Sequence, residues 1–378
     1  MTSKNTSTLD GSFASAKSTE RFEIENPKNM IEEILDRIGI GRYHYFTYAV
    51  VGIAYLTDGA EVLTIALLNY VVVHSVWHRS LDDVGLMGSL IFAGFFIGSL
   101  LSGPISDKYG RKYPFLSYLL LMFGTGVASA LAPNWEVLLW TRALFGIVIG
   151  LLSPTATSVV TEVTPRQRRG IAFIIVSSLF TFGELFSTFL GQIMHVETSE
   201  SAWRALLIWS SVPALVAFVL GWIFLKESPR HKILQNADEG IQVFKHMYRT
   251  NHGYEFQIGE YEREKLNEWV ENQKKLPKAS PISELVKGKL LRTSILVWIS
   301  WWVLSFVYYG ITYSLPLIIG KLNNTSNNAN NDEISYQDLY VAAIAEIPSY
   351  VLAVFAIEWK NLGRKYSVIL SFACCALG

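Results

Sequence analysis

Apolar residues in this chain come in long runs bounded by charge. Each run is about 20 residues or more, the length a helix needs to cross a hydrocarbon core of about 30 Å. Eight runs are legible, at 45–73, 84–105, 113–132, 137–161, 170–194, 203–225, 293–320 and 337–357, and a ninth starts near Tyr366. Six follow one another closely, a polar stretch intervenes, and the runs resume. This spacing divides the chain into a tail with a short amphipathic helix (1–44), a six-helix half (45–225), a linker (226–292) and a partial second half (293–378). The expected fold is therefore an all-α, polytopic membrane protein. Within the linker, the segment from Glu255 to Lys275 is charged around most of its circumference, as expected of a solvated helix.

Composition agrees with a membrane protein. Hydrophobic residues make up 51% of the 378, aromatic residues 13% and charged ones 17%, and mean hydropathy is +0.28. The 32 basic and 32 acidic residues cancel, so no bulk field recommends nucleic acid as a partner. Basic residues are instead segregated: 28 fall on one side of the predicted membrane, 3 on the other (Arg79, Arg204, Lys321), and Arg142 lies inside a span. The positive-inside rule then places the N-terminus in the cytosol. Met1 to Glu20 is rich in Ser, Thr and Lys without an apolar core, so it reads as a disordered tail rather than a signal peptide. Cys374 and Cys375 are neighbours and cannot staple distant parts of a fold. The histidines offer no metal-ligand or nucleophilic grouping, so no cofactor or metal is expected. On the outer side, Asn323 and Asn324 each begin an N-x-[ST] tripeptide in an Asn-rich loop, which reads either as glycosylation acceptors or as low-complexity filler.

Short motifs narrow the class. G-P-I-S-D-K-Y-G-R-K, Gly103 to Lys112, occupies a tight inner loop after the second run. Gly103 is expected to let two helices approach and Gly110 to permit the turn, while Asp107, Arg111 and Lys112 set charge at helix ends. The pattern resembles the signature of the major facilitator superfamily, in which this loop latches the inward face. Arg142 in W-T-R-A-L-F-G, then Glu162 before Pro165 and Arg168-Arg169-Gly170, resembles that superfamily's fourth helix and following loop. L-K-E-S-P-R, with Glu227 and Arg230, resembles the P-E-S-P-R signature of sugar and organic-ion transporters, with Lys226 in place of the leading Pro. The segments from Ile31 to Tyr45, Leu56 to Leu63, Trp301 to Gly310 and Ala345 to Pro348 look like the synaptic-vesicle-two-related proteins and their organic-ion and niacin transporter cousins. Gly363-Arg364-Lys365 repeats the first loop imperfectly, with Lys360 where the acid would stand.

Charge inside a span costs roughly 2.5–3.5 kcal/mol at mid-bilayer, so each case needs a reason. Five qualify: Asp58, Glu61, Arg142, Glu184 and Glu346. Asp58 and Glu61 share one helix face, a pair suited to a proton or a cation; the alternative is a buried ion pair with Arg142 that holds helices together. Glu346 precedes Pro348, which loosens its helix, so it faces a cavity or satisfies local backbone groups. Among the aromatics of the seventh run, Trp302, Tyr308 and Tyr309 are candidates to stack on a substrate, with packing as the plainer role.

The resemblance implies a secondary transporter of a small organic solute, an organic ion favoured, working by alternating access with proton coupling as an option. Its partners would be the solute, protons and the lipid bilayer of the plasma membrane or an intracellular vesicle. Nucleotide-driven pumping has no phosphate-binding motif behind it, and no enzyme grouping is present. Twelve spans are expected of that superfamily, so the second half is expected to be incomplete. The competing reading is a transporter-shaped interaction protein that moves nothing. Oligomeric state leaves no mark on the sequence.

Overall fold

The structure, a computed structural model, describes residues 27–72, 76–196, 201–275, 288–327, 335–359 and 363–377. The tail expected to be disordered lies outside them, as do several loop residues. The described residues form helices and no strand: α1 (Pro27–Ile38), α2 (Arg42–Val71), α3 (Leu81–Tyr109), α4 (Lys112–Ala130), α5 (Trp135–Val163), α6 (Arg169–Ser177), α7 (Leu179–Met194), α8 (Ala202–Phe224), α9 (Pro229–Gln235), α10 (Ala237–His252), α11 (Glu260–Lys275), α12 (Gly288–Asn327), α13 (Tyr336–Glu358) and α14 (Gly363–Leu377). Among the described residues, eight segments are long and apolar enough to cross a membrane: α2 to α5, α6 with α7, α8, and most of α12 and α13.

Predicted and observed spans differ mainly at their ends. Local chemistry explains where several helices begin. Ser80 and Asp83 cap α3 reciprocally, and Asn134 accepts the Val137 N–H at the head of α5. The fifth predicted span is interrupted at Ser178. There the Ser177 and Ser178 hydroxyls both donate to carbonyls one turn back, an arrangement that bends helices. The seventh runs on to Asn327, so Asn323 and Asn324 sit in helical backbone rather than in a loop.

α2 is the hub. It is buried over most of its length and packs on α5, α7, α8 and α12. Two crossings are close because side chains are missing there. A Cβ on Gly59 would overlap the Phe180 carbonyl, and one on Gly183 the Leu56 carbonyl, which brings α2 against α7. The α3–α5 contact depends in the same way on Gly94 and Gly98 facing Gly146 and Gly150. Lipid offers no hydrophobic drive between helices, so such close approach and hydroxyl pairs such as Thr64–Ser187 at 2.8 Å and Ser102–Thr155 at 2.9 Å do much of the joining. Gly103 plays no such part among the described residues: a Cβ there meets nothing within 4 Å, because this face of α3 turns away from the helices described.

At the charged end of the bundle, α1 and α9 to α11 form a small cap. Met30, Ile31, Ile34, Leu35 and Ile38 line one face of α1 and are buried against Ile233, Ile241, Phe244 and Met247. α11 is not the freely solvated helix its charge suggests. Leu266 and Val270, four apart, insert into this cluster while the charged positions stay outside.

Candidate functional site

Two groups of ionisable residues lie within the bundle. In the first, Arg142 of α5 donates from Nη1 to Glu61 Oε2 of α2 at 3.0 Å, both side chains fully buried. The Ser210 hydroxyl of α8 donates to the other Glu61 oxygen at 2.9 Å. The Arg142 guanidinium lies over the Phe145 ring, 4.9 Å from its centroid, while its Nε and Nη2 have no hydrogen-bond partner among the described residues. Asp58, one turn before Glu61, lines a small hollow with Tyr55, Ile149 and Ser153 and is near enough to Glu61 for their charges to interact. Burying a charge is tolerated only with a partner, and each partner here comes from a different helix, so α2, α5 and α8 are held in register.

The second group joins α7 to α12 and α13. The Tyr308 hydroxyl donates to Glu184 Oε1 at 2.7 Å, and the Thr181 hydroxyl donates to Glu346 Oε2 at the same distance. Thr181 and Glu184 are neighbours on one face of α7, so this helix offers a carboxylate to the Tyr308 hydroxyl of α12 and a hydroxyl to the Glu346 carboxylate of α13. The five intramembrane charges are thus split between two clusters. Tyr309 is in electrostatic range of both Asp58 and Glu184.

Between α3 and α12 opens a cavity of about 740 Å³, walled by Phe92, Trp302, Phe306, Tyr309 and Tyr313, with Asn69 of α2 also lining it. The Phe92 ring meets Tyr309 at 5.0 Å and Tyr313 at 5.9 Å. Trp302 stacks on Phe306 and is 68% exposed, whereas Tyr308 faces Glu184 instead of this cavity.

The loop residues gather at the charged end. α3 extends to Tyr109, so Gly103 and Asp107 are helical and the turn is confined to Gly110 and Arg111. Gly110 has φ +91°, a conformation other residues rarely adopt. Arg111 bonds Asp107 at 2.9 Å and Glu162 at 3.0 Å, and Glu227 accepts the backbone N–H of Arg111 at 2.6 Å and of Lys112 at 3.2 Å. Ser228 donates to Glu162, and Arg168 stands at the N-cap of α6. Arg169 reaches Glu32 of α1 at 2.5 Å, and Arg230 pairs with the same carboxylate. Sequence reasoning had no means of finding Glu32 or Ser210, whose partners are 137 and 149 residues away. The α3–α5 glycines did leave a signal in the four-residue spacing of Gly94 with Gly98 and Gly146 with Gly150.

Comparison with known proteins agrees with this architecture. Residues 46–378 match the Major Facilitator Superfamily. The chain is 28% identical to the organic cation/carnitine transporter 7 of Arabidopsis thaliana, over 93% of this chain and 75% of that protein. It is 26% identical to the synaptic vesicle 2-related protein of Bos taurus (93% and 64%) and 24% identical to the niacin transporter NiaP of Acinetobacter baylyi (91% and 73%). The chain therefore spans roughly two thirds to three quarters of these relatives' lengths. In fold it is similar to the proton:xylose symporter XylE, with a TM-score of 0.65 at 17% identity, over 84% of this chain and 70% of that one. With the match running from α2 to the end of the chain, and with transporters rather than enzymes among these relatives, the chain belongs to the Major Facilitator Superfamily.

Proposed function

We propose that the protein moves a small organic solute across a membrane by alternating access, with α2 to α8 as one six-helix half and α12 to α14 as part of the other. One observation carries this reading: the fully buried Glu61–Arg142 pair, with Asp58 a turn away, in the helix that also packs on α12. A charge cluster at that depth is costly unless it is used. Asp58, Glu61 and Arg142 form the centre of the site, and Glu184, Tyr308 and Glu346 join the halves beside it. Trp302 and Tyr309 offer aromatic surface to the solute. The names of the relatives, which include organic cation/carnitine and niacin transporters, favour an organic ion as cargo. Asp58 is the group that would exchange a proton, since Glu61 already has a cationic partner. Gly110 to Lys112, Glu162, Arg168, Arg169, Glu227 and Arg230 form the gate at the charged end, which the asymmetry of basic residues assigns to the cytosol.

The test is uptake into proteoliposomes of the full chain, with radiolabelled carnitine and nicotinate as probes and an imposed pH gradient. Saturable uptake of either probe that Asp58→Asn uncouples from the gradient, and that Arg142→Met abolishes, is expected. Uptake no greater than in empty liposomes would overturn the reading in favour of a membrane protein that binds partners without transport.

A further inference from the structure

The aromatic-walled cavity between α3 and α12 contains a group that no role described so far uses. Asn69 is 2% exposed and lines the cavity, yet its Oδ1 has no hydrogen-bond partner among the described residues. Among the described residues its Nδ2 is held only by the Tyr313 carbonyl at 3.4 Å, at the long limit for such a bond. Buried amides are normally satisfied, and an orphan acceptor beside an open cavity marks a place where a ligand donor would complete the set. Rotation about the terminal torsion of Asn is soft, so the loosely held amide is free to turn its Oδ1 toward a ligand in the cavity.

The rest of the lining says what that ligand is. Its large walls are Phe92, Trp302, Phe306, Tyr309 and Tyr313, and none of the described residues lining it is an Asp, Glu, Lys, Arg or His. An ionised group would lose its hydration here with no counter-charge to replace it, whereas a flat ring gains faces to stack on. From this geometry we infer that Asn69 and the aromatic wall form a binding subsite for a planar, uncharged ring bearing an N–H donor, with Asn69 Oδ1 accepting that hydrogen. The inference deepens the transport reading by assigning the part of the solute that this cavity holds, and it rests on that reading for its purpose but not for its test.

Equilibrium binding to the purified full chain in detergent requires no transport. Benzamide is the probe: N,N-dimethylbenzamide keeps the ring and removes the donor, and benzoate replaces the amide with a charge. Wild-type protein is expected to bind benzamide about tenfold more tightly than either, the worth of one well-made hydrogen bond. Asn69→Ala brings benzamide down to the level of the dimethyl compound. Gly85→Leu, at a lining position where an added Cβ meets nothing within 4 Å, puts bulk on the cavity wall without disturbing packing and weakens benzamide binding. Equal binding of benzamide and its dimethyl analogue, unchanged benzamide binding in Asn69→Ala or in Gly85→Leu, or no binding of benzamide to wild type would each overturn the subsite. Retained binding with no uptake would instead overturn the transport reading alone.

Discussion

Glu227 reaches back across 116 residues of sequence to cap α4, accepting the Arg111 backbone N–H at 2.6 Å. α4 has no side-chain cap of its own: Arg111 stands at its N-cap position and supplies none. The first turn of a helix leaves N–H groups without partners and carries a partial positive charge, and a carboxylate satisfies both needs together. The same carboxylate holds the chain after α8 against the turn after α3, so one residue ties three helix ends.

Two substitutions test this cap. Glu227→Gln keeps the shape and removes the charge, with an expected loss of about 0.3–2 kcal/mol. Gly110→Ala places a methyl group where the Glu227 carboxylate sits, at a φ that L-residues avoid, and should cost about 1–3 kcal/mol. Thermal unfolding in detergent reads both. If the cap is as described, the two losses are not additive, because both act on the Glu227 contact.

Much of this architecture was legible before any coordinates. Length and polarity alone locate the membrane-crossing helices, since lipid imposes one solution on the backbone. Glu61 and Arg142 stand out because charge within an apolar run demands a partner. Which residue answers which was not legible. Ser210, Glu32 and Asn69 are ordinary polar residues in sequence, and their importance arises only from helix packing that brings distant segments together. The expectation for Gly103 failed for the same reason, since a glycine eases close approach only if it points at a neighbour.

A contrast between glycines follows. Gly59→Ala drives a methyl group into the Phe180 backbone, which cannot yield as a side chain would, and should destabilise by about 1–3 kcal/mol. Gly103→Ala meets open space within a helix and should stabilise by about 0.5–1 kcal/mol through backbone entropy. Melting temperatures moving in opposite directions would bear out the two placements, whereas equal losses would contradict them.

The cap formed by α1 and α9 to α11 should loosen in acid through His246. Burial, then the positive charges of Lys226 and Arg249, hold its imidazole below the usual 6.5, and its ring packs edge-on to Tyr43. The folded cap therefore binds a proton less readily than the unfolded segment. Its contribution to stability is complete above the unfolded value and declines as pH falls through and below it. Hydrogen exchange along α10, corrected for intrinsic rates, should accelerate between about pH 7.5 and 5.5. His246→Gln should remove most of that acceleration; if it persists unchanged, another group drives the opening.

The buried pair makes the sharpest prediction because its members are worth more as partners than alone. Arg142→Met leaves the Glu61 carboxylate fully buried with only the Ser210 hydroxyl, at an expected cost of about 3–5 kcal/mol. Glu61→Leu leaves the guanidinium without its only hydrogen-bond acceptor among the described residues and should cost a similar amount. Replacing both removes charge and counter-charge together, and apolar side chains of similar volume suit the surrounding Phe145 and helix backbones. The double variant should therefore be more stable than either single one, with a coupling energy of at least about 2 kcal/mol in a double-mutant cycle. Stability and activity then separate. If the pair only holds helices together, the double variant regains uptake along with its fold. If it belongs to the transport site, the double variant melts near the wild-type temperature and carries nothing.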